Sequence, residues 1–218
     1  MRSLELTRGN EPLTVLCLGA HSDDIEIGLG GTLISMVAAD RPLRVFWCVC
    51  SANGIRADEA EASANAFLGP QVERHTHFGN FEDSYFPSQS MSIKQWMTEI
   101  RDTVVPDVIF THTRDDAHQD HREISLLTWN VFRDQVILEY EIPKWDGDVG
   151  RPNVYVPLSR DAMDRKIDLL SCHFATQRSK DWFDEETFRG LARLRGMECR
   201  APERYAEAFH MRKATVVF

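Results

Sequence analysis

From Pro12 to Ala20 the chain reads PLTVLCLGA, apolar with no charge, the pattern of a strand buried on both faces. The period then changes: Ile25, Leu29, Leu33, Met36 and Val37 recur at spacings of three and four, which predicts an amphipathic helix. Arg41-Pro42 breaks that pattern, and Leu43–Cys50 (LRVFWCVC) predicts a second buried strand. A helix over Asp58–Leu68 is stopped by Gly69-Pro70, and His75–Phe78 predicts a short third strand. Met91–Val105 reads as a helix closed by Pro106, Asp107–Thr113 (DVIFTHT) as a fourth strand, and Glu123–Phe132 as the helix after it. Four alternations of strand and helix predict an α/β fold whose sheet is mostly parallel, with right-handed crossovers.

The last third is less regular. Val136–Ile142 and Val154–Leu158 predict strands, Asp161–Gln177 and Asp184–Arg195 helices, and Tyr205–His210 with Ala214–Phe218 closing strands. No internal repeat or linker divides the chain, so residues 1–218 are expected to form a single domain.

Composition narrows the partners. Of 218 residues, 34 are acidic and 25 basic, and the net charge of −9 gives no counterion-release affinity for nucleic acid. The longest apolar runs, Val45–Cys50 and Leu33–Ala39, are too short to span a bilayer. The start, MRSLELTRGNEP, lacks the apolar centre of a secretory signal, so a cytoplasmic location is expected. Cys17, Cys48, Cys50, Cys172 and Cys199 are odd in number and hold no C-x-x-C pair, which predicts reduced thiols, most of them in the core.

Candidate chemistry begins where the first strand hands over to its helix, at Ala20-His21-Ser22-Asp23-Asp24. The carboxyl edge of such a sheet is where ligands bind, and an imidazole with a carboxylate suits a zinc ion held by His21 and Asp24. Asp23 with Glu26 also has the D-x-x-E spacing of a helix cap, so this stretch alone leaves metal ligation and capping evenly balanced. Asp115–Glu123 (DDAHQDHRE) occupies the corresponding end of the fourth strand. In the strand order 3-2-1-4 the two stretches face each other, and His121 completes a set of three ligands, the number that leaves a position open for catalysis. Asp120 with Glu123 again has cap spacing, which leaves the two flanking histidines unexplained. Around such an ion Asp23 is placed to act as general base. His118 is placed to stabilise an oxyanion as imidazolium and protonate the departing amine, with Asp120 orienting its ring. The chemistry implied is zinc-assisted cleavage of an amide or ester.

Ala20-His21-Ser22-Asp23-Asp24, Gly30-Gly31 and His118-Gln119-Asp120-His121-Arg122 together resemble the LmbE-like (PIG-L type) deacetylases, with their A-H-P-D-D and H-x-D-H motifs on a Rossmann-like sheet. The resemblance extends through Pro106–Ile109, Arg56-x-x-Glu59 with Leu68-Gly69, and Tyr205–Phe209. It implies a three-layer sandwich with helices on both faces. It also implies removal of an N-acetyl group from an amino sugar or its conjugate, a glycoside or nucleotide sugar, by zinc or another divalent transition metal. His21, Asp24 and His121 would be the metal ligands, Asp23 the base and His118 the second catalytic group. Arg56 and Asp83 match positions that contact the sugar. Ser22 and Gln119 stand where the family has proline, and Ile55 stands where many relatives carry a carboxylate, so the substrate differs more readily than the reaction.

The main alternative is a non-catalytic carbohydrate- or nucleotide-binding protein of Rossmann type using Gly28, Gly30 and Gly31; its G-x-G-x-x-G pattern fails at Leu33. His173 and Gln177 lie one turn apart on the predicted Asp161–Gln177 helix; a buried structural histidine is the leading reading, with approach to the pocket rim as the alternative. Arg189, Arg193, Arg195, Arg200, Arg204 and Arg212 make the tail basic; such a group is usually a solvated face paired with nearby Glu, and the further expectation is that one or two of them meet an anionic part of the substrate. Homo-oligomerisation is left open by the sequence.

Overall fold

The computed structural model describes residues 3–6 and 11–215. Among the described residues seven strands form one sheet: β1 (Leu13–His21), β2 (Leu43–Ser51), β3 (Glu73–Phe78), β4 (Val108–His112), β5 (Val136–Tyr140), β6 (Val154–Leu158) and β7 (Tyr205–His210). Their order is β3-β2-β1-β4-β5-β7-β6, parallel from β3 through β5 and antiparallel where β7 meets β5 and β6. The predicted order around β1 is therefore found, and the sheet is mixed only at the edge built by the irregular last third.

Alternation along the strands sorts the core into two layers. Val15, Cys17, Val45, Trp47, Phe110 and Tyr140 face α1 (Asp24–Ala38), α2 (Ile55–Leu68), α5 (Arg160–His173) and α6 (Glu185–Cys199). Leu16, Leu18, Phe46, Cys48 and Ile109 face α3 (Ser90–Arg101) and α4 (Gln119–Val131). The chain leaves β1 toward one face and β4 toward the other, and these neighbours pair with Val15 opposite Val108 and Leu16 opposite Ile109. That divergence opens a crevice at their carboxyl ends.

Helix α1 carries a kink that its apolar period conceals. Leu29 has φ −144° and ψ 15°, outside the helical region. A Cβ at Gly28 would lie 2.3 Å from the Tyr140 ring, and one at Gly31 would lie 2.5 Å from Leu158, so both glycines serve close packing. The Ile27 carbonyl accepts from Lys166 Nζ at 2.6 Å, while the Gly31 and Thr32 amides donate to Glu207 at 2.9 and 2.6 Å. Lys166 and Glu207 close the arrangement at 2.7 Å. Those amides are occupied by a carboxylate of the chain itself, which removes the phosphate cradle of the nucleotide-binding alternative.

Several boundaries move for local reasons. α3 stops at Arg101, where the Thr103 amide and hydroxyl both turn back to the Ile100 carbonyl, at 2.9 and 2.7 Å. α4 starts four residues before the predicted Glu123 because the Asp120 amide donates to His118 Nδ1 at 3.2 Å, capping the first turn. α6 runs on to Cys199 and ends with Arg200 in the left-handed region, φ 59°. The predicted helix through Gln177 breaks at Phe174 into a short 3-10 turn, Ala175–Gln177. Of the expected last strand, Ala214 and Thr215 are not extended in the sheet, and residues 216–218 lie outside the described residues. All five cysteines are unbridged; four are buried and Cys172 is exposed. Burial pushes the Cys17, Cys48 and Cys50 thiols up, which keeps them unreactive. Among the described residues no helix is long and apolar enough to cross a membrane.

Candidate metal centre and active-site cleft

The two turns meet. His21 ends β1, Asp24 opens α1 and His121 lies in the first turn of α4, and their donor atoms converge. His21 Nδ1 is 3.3 Å from His121 Nε2 and 3.4 Å from Asp24 Oδ2, and His121 Nε2 is 3.5 Å from Asp24 Oδ1. An ion bonded at about 2.0–2.1 Å in tetrahedral geometry holds its ligand atoms about 3.3 Å apart, so these three side chains form one face of such a site. The residues present fit a small dication of the zinc type.

Each ligand is held from behind. His121 Nδ1 meets Asp116 Oδ2 at 2.9 Å, and Asp116 Oδ1 takes Lys144 Nζ at 2.9 Å and the His118 amide at 2.7 Å. His21 Nε2 lies 3.2 Å from both Asp120 Oδ2 and Asp83 Oδ1. Asp120 also accepts from the Ser84 and Phe86 amides, at 2.6 and 3.1 Å. The His112 ring stacks on His121 with centroids 3.9 Å apart, and its Nε2 is 3.1 Å from Asp24 Oδ2. Carboxylate partners on the outer nitrogens of ligand histidines fix ring orientation and raise basicity.

The electrostatics match a site built for positive charge. Burial works against charge on His21, yet Asp120, Asp24 and Asp83 raise its pKa well above the ordinary value. Asp24 is held well below the usual carboxylate range, because His121 and His112 outweigh its burial. Asp23, Asp24, Asp83, Asp116 and Asp120 crowd around the crevice, with Arg56 and Lys144 as the fixed cations among them.

Two expectations for the site need correction. Asp120 holds His118 through its backbone amide and not through its carboxylate, which contacts His21 at Oδ2 and accepts the Ser84 amide at that same oxygen and the Phe86 amide at Oδ1. His118 uses Nδ1 to accept the Asp120 amide, which leaves its proton on Nε2. Burial and the nearby His121 and His21 lower its pKa, against the opposing pull of Asp120 and Asp24. The cap reading fails for Asp23, which makes no side-chain bond to the first turn of α1. Asp23 Oδ1 instead takes Arg56 Nη2 at 2.7 Å, and Arg56 continues to Glu59 at 3.1 Å and Thr176 at 3.0 Å.

Residues 16–132, more than half of the chain and spanning both motifs, match the family described as PIG-L, GlcNAc-PI de-N-acetylase. The chain belongs to the PIG-L family. Solved structures with the same fold include an N,N'-diacetylchitobiose deacetylase from Pyrococcus horikoshii (21% identity, TM-score 0.71, 92% of this chain and 84% of that one). The A40926 pseudoaglycone deacetylase Dbv21 is similar over 95% of this chain and all of its own, at 15% identity and TM-score 0.69. The 4-carboxy-2-hydroxymuconate hydratase GalB from Pseudomonas putida is similar to the same degree (15% identity, TM-score 0.70, 94% and 98% covered). Different reactions on one fold mean that activity has to be argued from the site.

In this PIG-L family member His21, Asp24 and His121 lie in a cleft of about 450 Å³, within the size range of small-ligand sites. Asp23, Arg56, Asp83 and His118 line it, as does Gln177; His173 does not. The basic tail does not reach it either. Arg195 is buried in a two-point contact with Glu141 at 2.9 and 2.7 Å, Arg212 pairs with Glu139, Arg189 pairs with Asp164 and Glu185, and Arg193 lies over the Tyr205 ring. The expected anion contact from these arginines is therefore not made; Arg56, Lys144 and Lys180 are the cations lining the cleft. Sequence reasoning missed His112, Asp116, Lys144, Trp145 and Trp182. His112 and Asp116 sit at the carboxyl end of β4, a position that signals function in this topology, whereas nothing in the local pattern marks Lys144 or the tryptophans.

Proposed function

We propose that this chain is a zinc-dependent hydrolase that removes the N-acetyl group from an amino sugar or amino-sugar conjugate. The observation that carries the reading is the convergence of His21, Asp24 and His121 at tetrahedral spacing, with Asp23 beside them in an open cleft. The family description and the deacetylase structures of the same fold support the choice of an acetamide.

Zinc, when bound, supplies a Lewis acid that polarises an acyl carbonyl and makes water acidic enough to react near neutral pH. Asp23 takes the proton of the attacking water as the new C–O bond forms; Arg56 engages its Oδ1 and fixes the carboxylate's orientation, leaving the second oxygen for that transfer. His118, with its proton on Nε2, donates to the oxyanion of the tetrahedral adduct. As the C–N bond breaks, the proton on Asp23 passes to the amine nitrogen, giving acetate and a free amino sugar. Asp120 and Asp116 hold the rings of His21 and His121 in place throughout. Arg56, bonded to Asp23, and Asp83, beside His21, line the cleft and would meet sugar hydroxyls there.

The test is acetate release from a panel of N-acetylated sugars, glycosides and nucleotide sugars, with the chain loaded with zinc and stripped by chelator. Zinc-dependent release from at least one class is expected; absence of release from every class would overturn the reading.

A further inference from the structure

The cleft extends beyond what one reacting sugar needs. Its 450 Å³ is the share of at least about fifteen waters at about 30 Å³ each, whereas an N-acetylhexosamine has about fifteen non-hydrogen atoms packed more closely than waters. The metal ligands lie at its floor, with the side chains of His21 and Asp24 exposed by 15% and 5%. At its rim stands Trp145, exposed by 69%.

Trp145 is exposed but not loose. Its indole Nε1 donates to Asp181 at 2.6 Å, and its ring meets Trp182 edge to face with centroids 6.2 Å apart. Trp182 is fixed in turn against Phe183 at 5.7 Å and beneath Lys180 Nζ at 5.5 Å. The loop that presents Trp145 is tied down on both sides. Lys144 binds Asp116 and Asp148 at 2.9 and 2.6 Å, and Gly150 is clamped between Glu141 and Arg195 at 2.9 and 3.1 Å. Because Asp116 also holds ligand His121, the position of this indole is set relative to the reacting end of the cleft. A large apolar face held rigid in a polar cleft is a contact surface bought at little entropy cost on binding.

We infer that Trp145 forms a second-ring subsite: the substrate carries, glycosidically linked to the N-acetylated sugar, a further pyranose whose C–H face stacks on the Trp145 indole. The inference rests on the deacetylase reading for the identity of the first ring. The π face is electronegative, and the axial hydrogens of a pyranose are its electropositive complement. Asp146 and Lys180, lining the same cleft, are placed to bond the hydroxyls around its edge.

The experiment compares Trp145→Ala and Trp145→Phe with the parent chain. Binding is read by calorimetry on zinc-loaded protein carrying Asp23→Asn, so that no turnover intervenes, and KM and kcat are read on chains with Asp23 intact. The ligands are methyl N-acetylglucosaminide, N,N'-diacetylchitobiose and 4-nitrophenyl N-acetylglucosaminide. Trp145→Ala is expected to lower the preference for the disaccharide over the methyl glycoside by about tenfold, in Kd and KM rather than kcat, with Trp145→Phe recovering most of it. Equal effects on all three ligands, no effect, or a loss confined to the nitrophenyl glycoside would overturn the subsite. Turnover that ignores Trp145 would sink the subsite and leave the deacetylase reading standing. Trp145-dependent binding of the disaccharide without acetate release would do the reverse, and no binding of any ligand would overturn both.

Discussion

Asp116 provides a sharp test of how the metal centre is held. Its carboxylate accepts from three donors at once: His121 Nδ1 at 2.9 Å, Lys144 Nζ at 2.9 Å and the His118 amide at 2.7 Å. An asparagine cannot satisfy them. With its oxygen toward His121 its NH2 faces Lys144 and the amide; turned over, the NH2 faces the imidazole N–H. Either way a donor meets a donor in a buried site, and His121 loses the partner that keeps Nε2 free for the ion. Asp116→Asn is therefore expected to weaken zinc binding by about 10- to 100-fold, the usual cost of losing such an outer partner and equivalent to about 1.4–2.8 kcal/mol. Competition with a chromophoric chelator measures it. Asp115→Asn is the control: this neighbour is 81% exposed, pairs with Arg212 at 3.5 Å, and its loss is expected to leave zinc affinity within about twofold. An unchanged affinity in Asp116→Asn, or an equal loss in the control, would refute the reasoning.

Asp23→Asn is expected to retain its zinc while turnover falls by about a hundredfold or more, the scale of a lost general base, as read by metal analysis beside acetate release. Glu59 supplies a pH dependence: burial pushes its carboxyl up, but the Thr176 hydroxyl and amide together with Arg56 hold it below the ordinary 4.5. The folded chain then binds fewer protons than the unfolded one just below pH 4.5, so this contribution is complete above that value and is lost as pH falls toward the folded value. Glu59→Gln is expected to flatten that acid limb in urea unfolding followed between about pH 3 and 7, and an unaltered limb would count against it.

The fold was legible where burial on both faces wrote itself as uninterrupted apolar runs. β1, β2 and β4 fall within one or two residues of their predicted bounds, and from their order followed the meeting of His21 with His121. Partner choice within the site was less legible. Whether the Asp120 carboxylate meets His118 or His21 depends on the loop before α3, whose Ser84 and Phe86 amides fix it from a part of the chain with no pattern of its own. The α1 kink left no trace because the residues that satisfy it, Lys166 and Glu207, lie far along the chain. Lys144 and Trp145 escaped notice for the same reason. Their loop is shaped by Glu141 and Arg195, a buried pair whose arginine had every appearance of a surface cation.

The most direct measurement is a zinc titration of the chelator-stripped chain, following bound metal and acetate release from an N-acetylated amino-sugar glycoside together. Both are expected to rise in parallel and level off at about one zinc per chain, and His121→Ala is expected to abolish the rise. Full activity in the stripped chain, or a rise that survives removal of His121, would contradict the account.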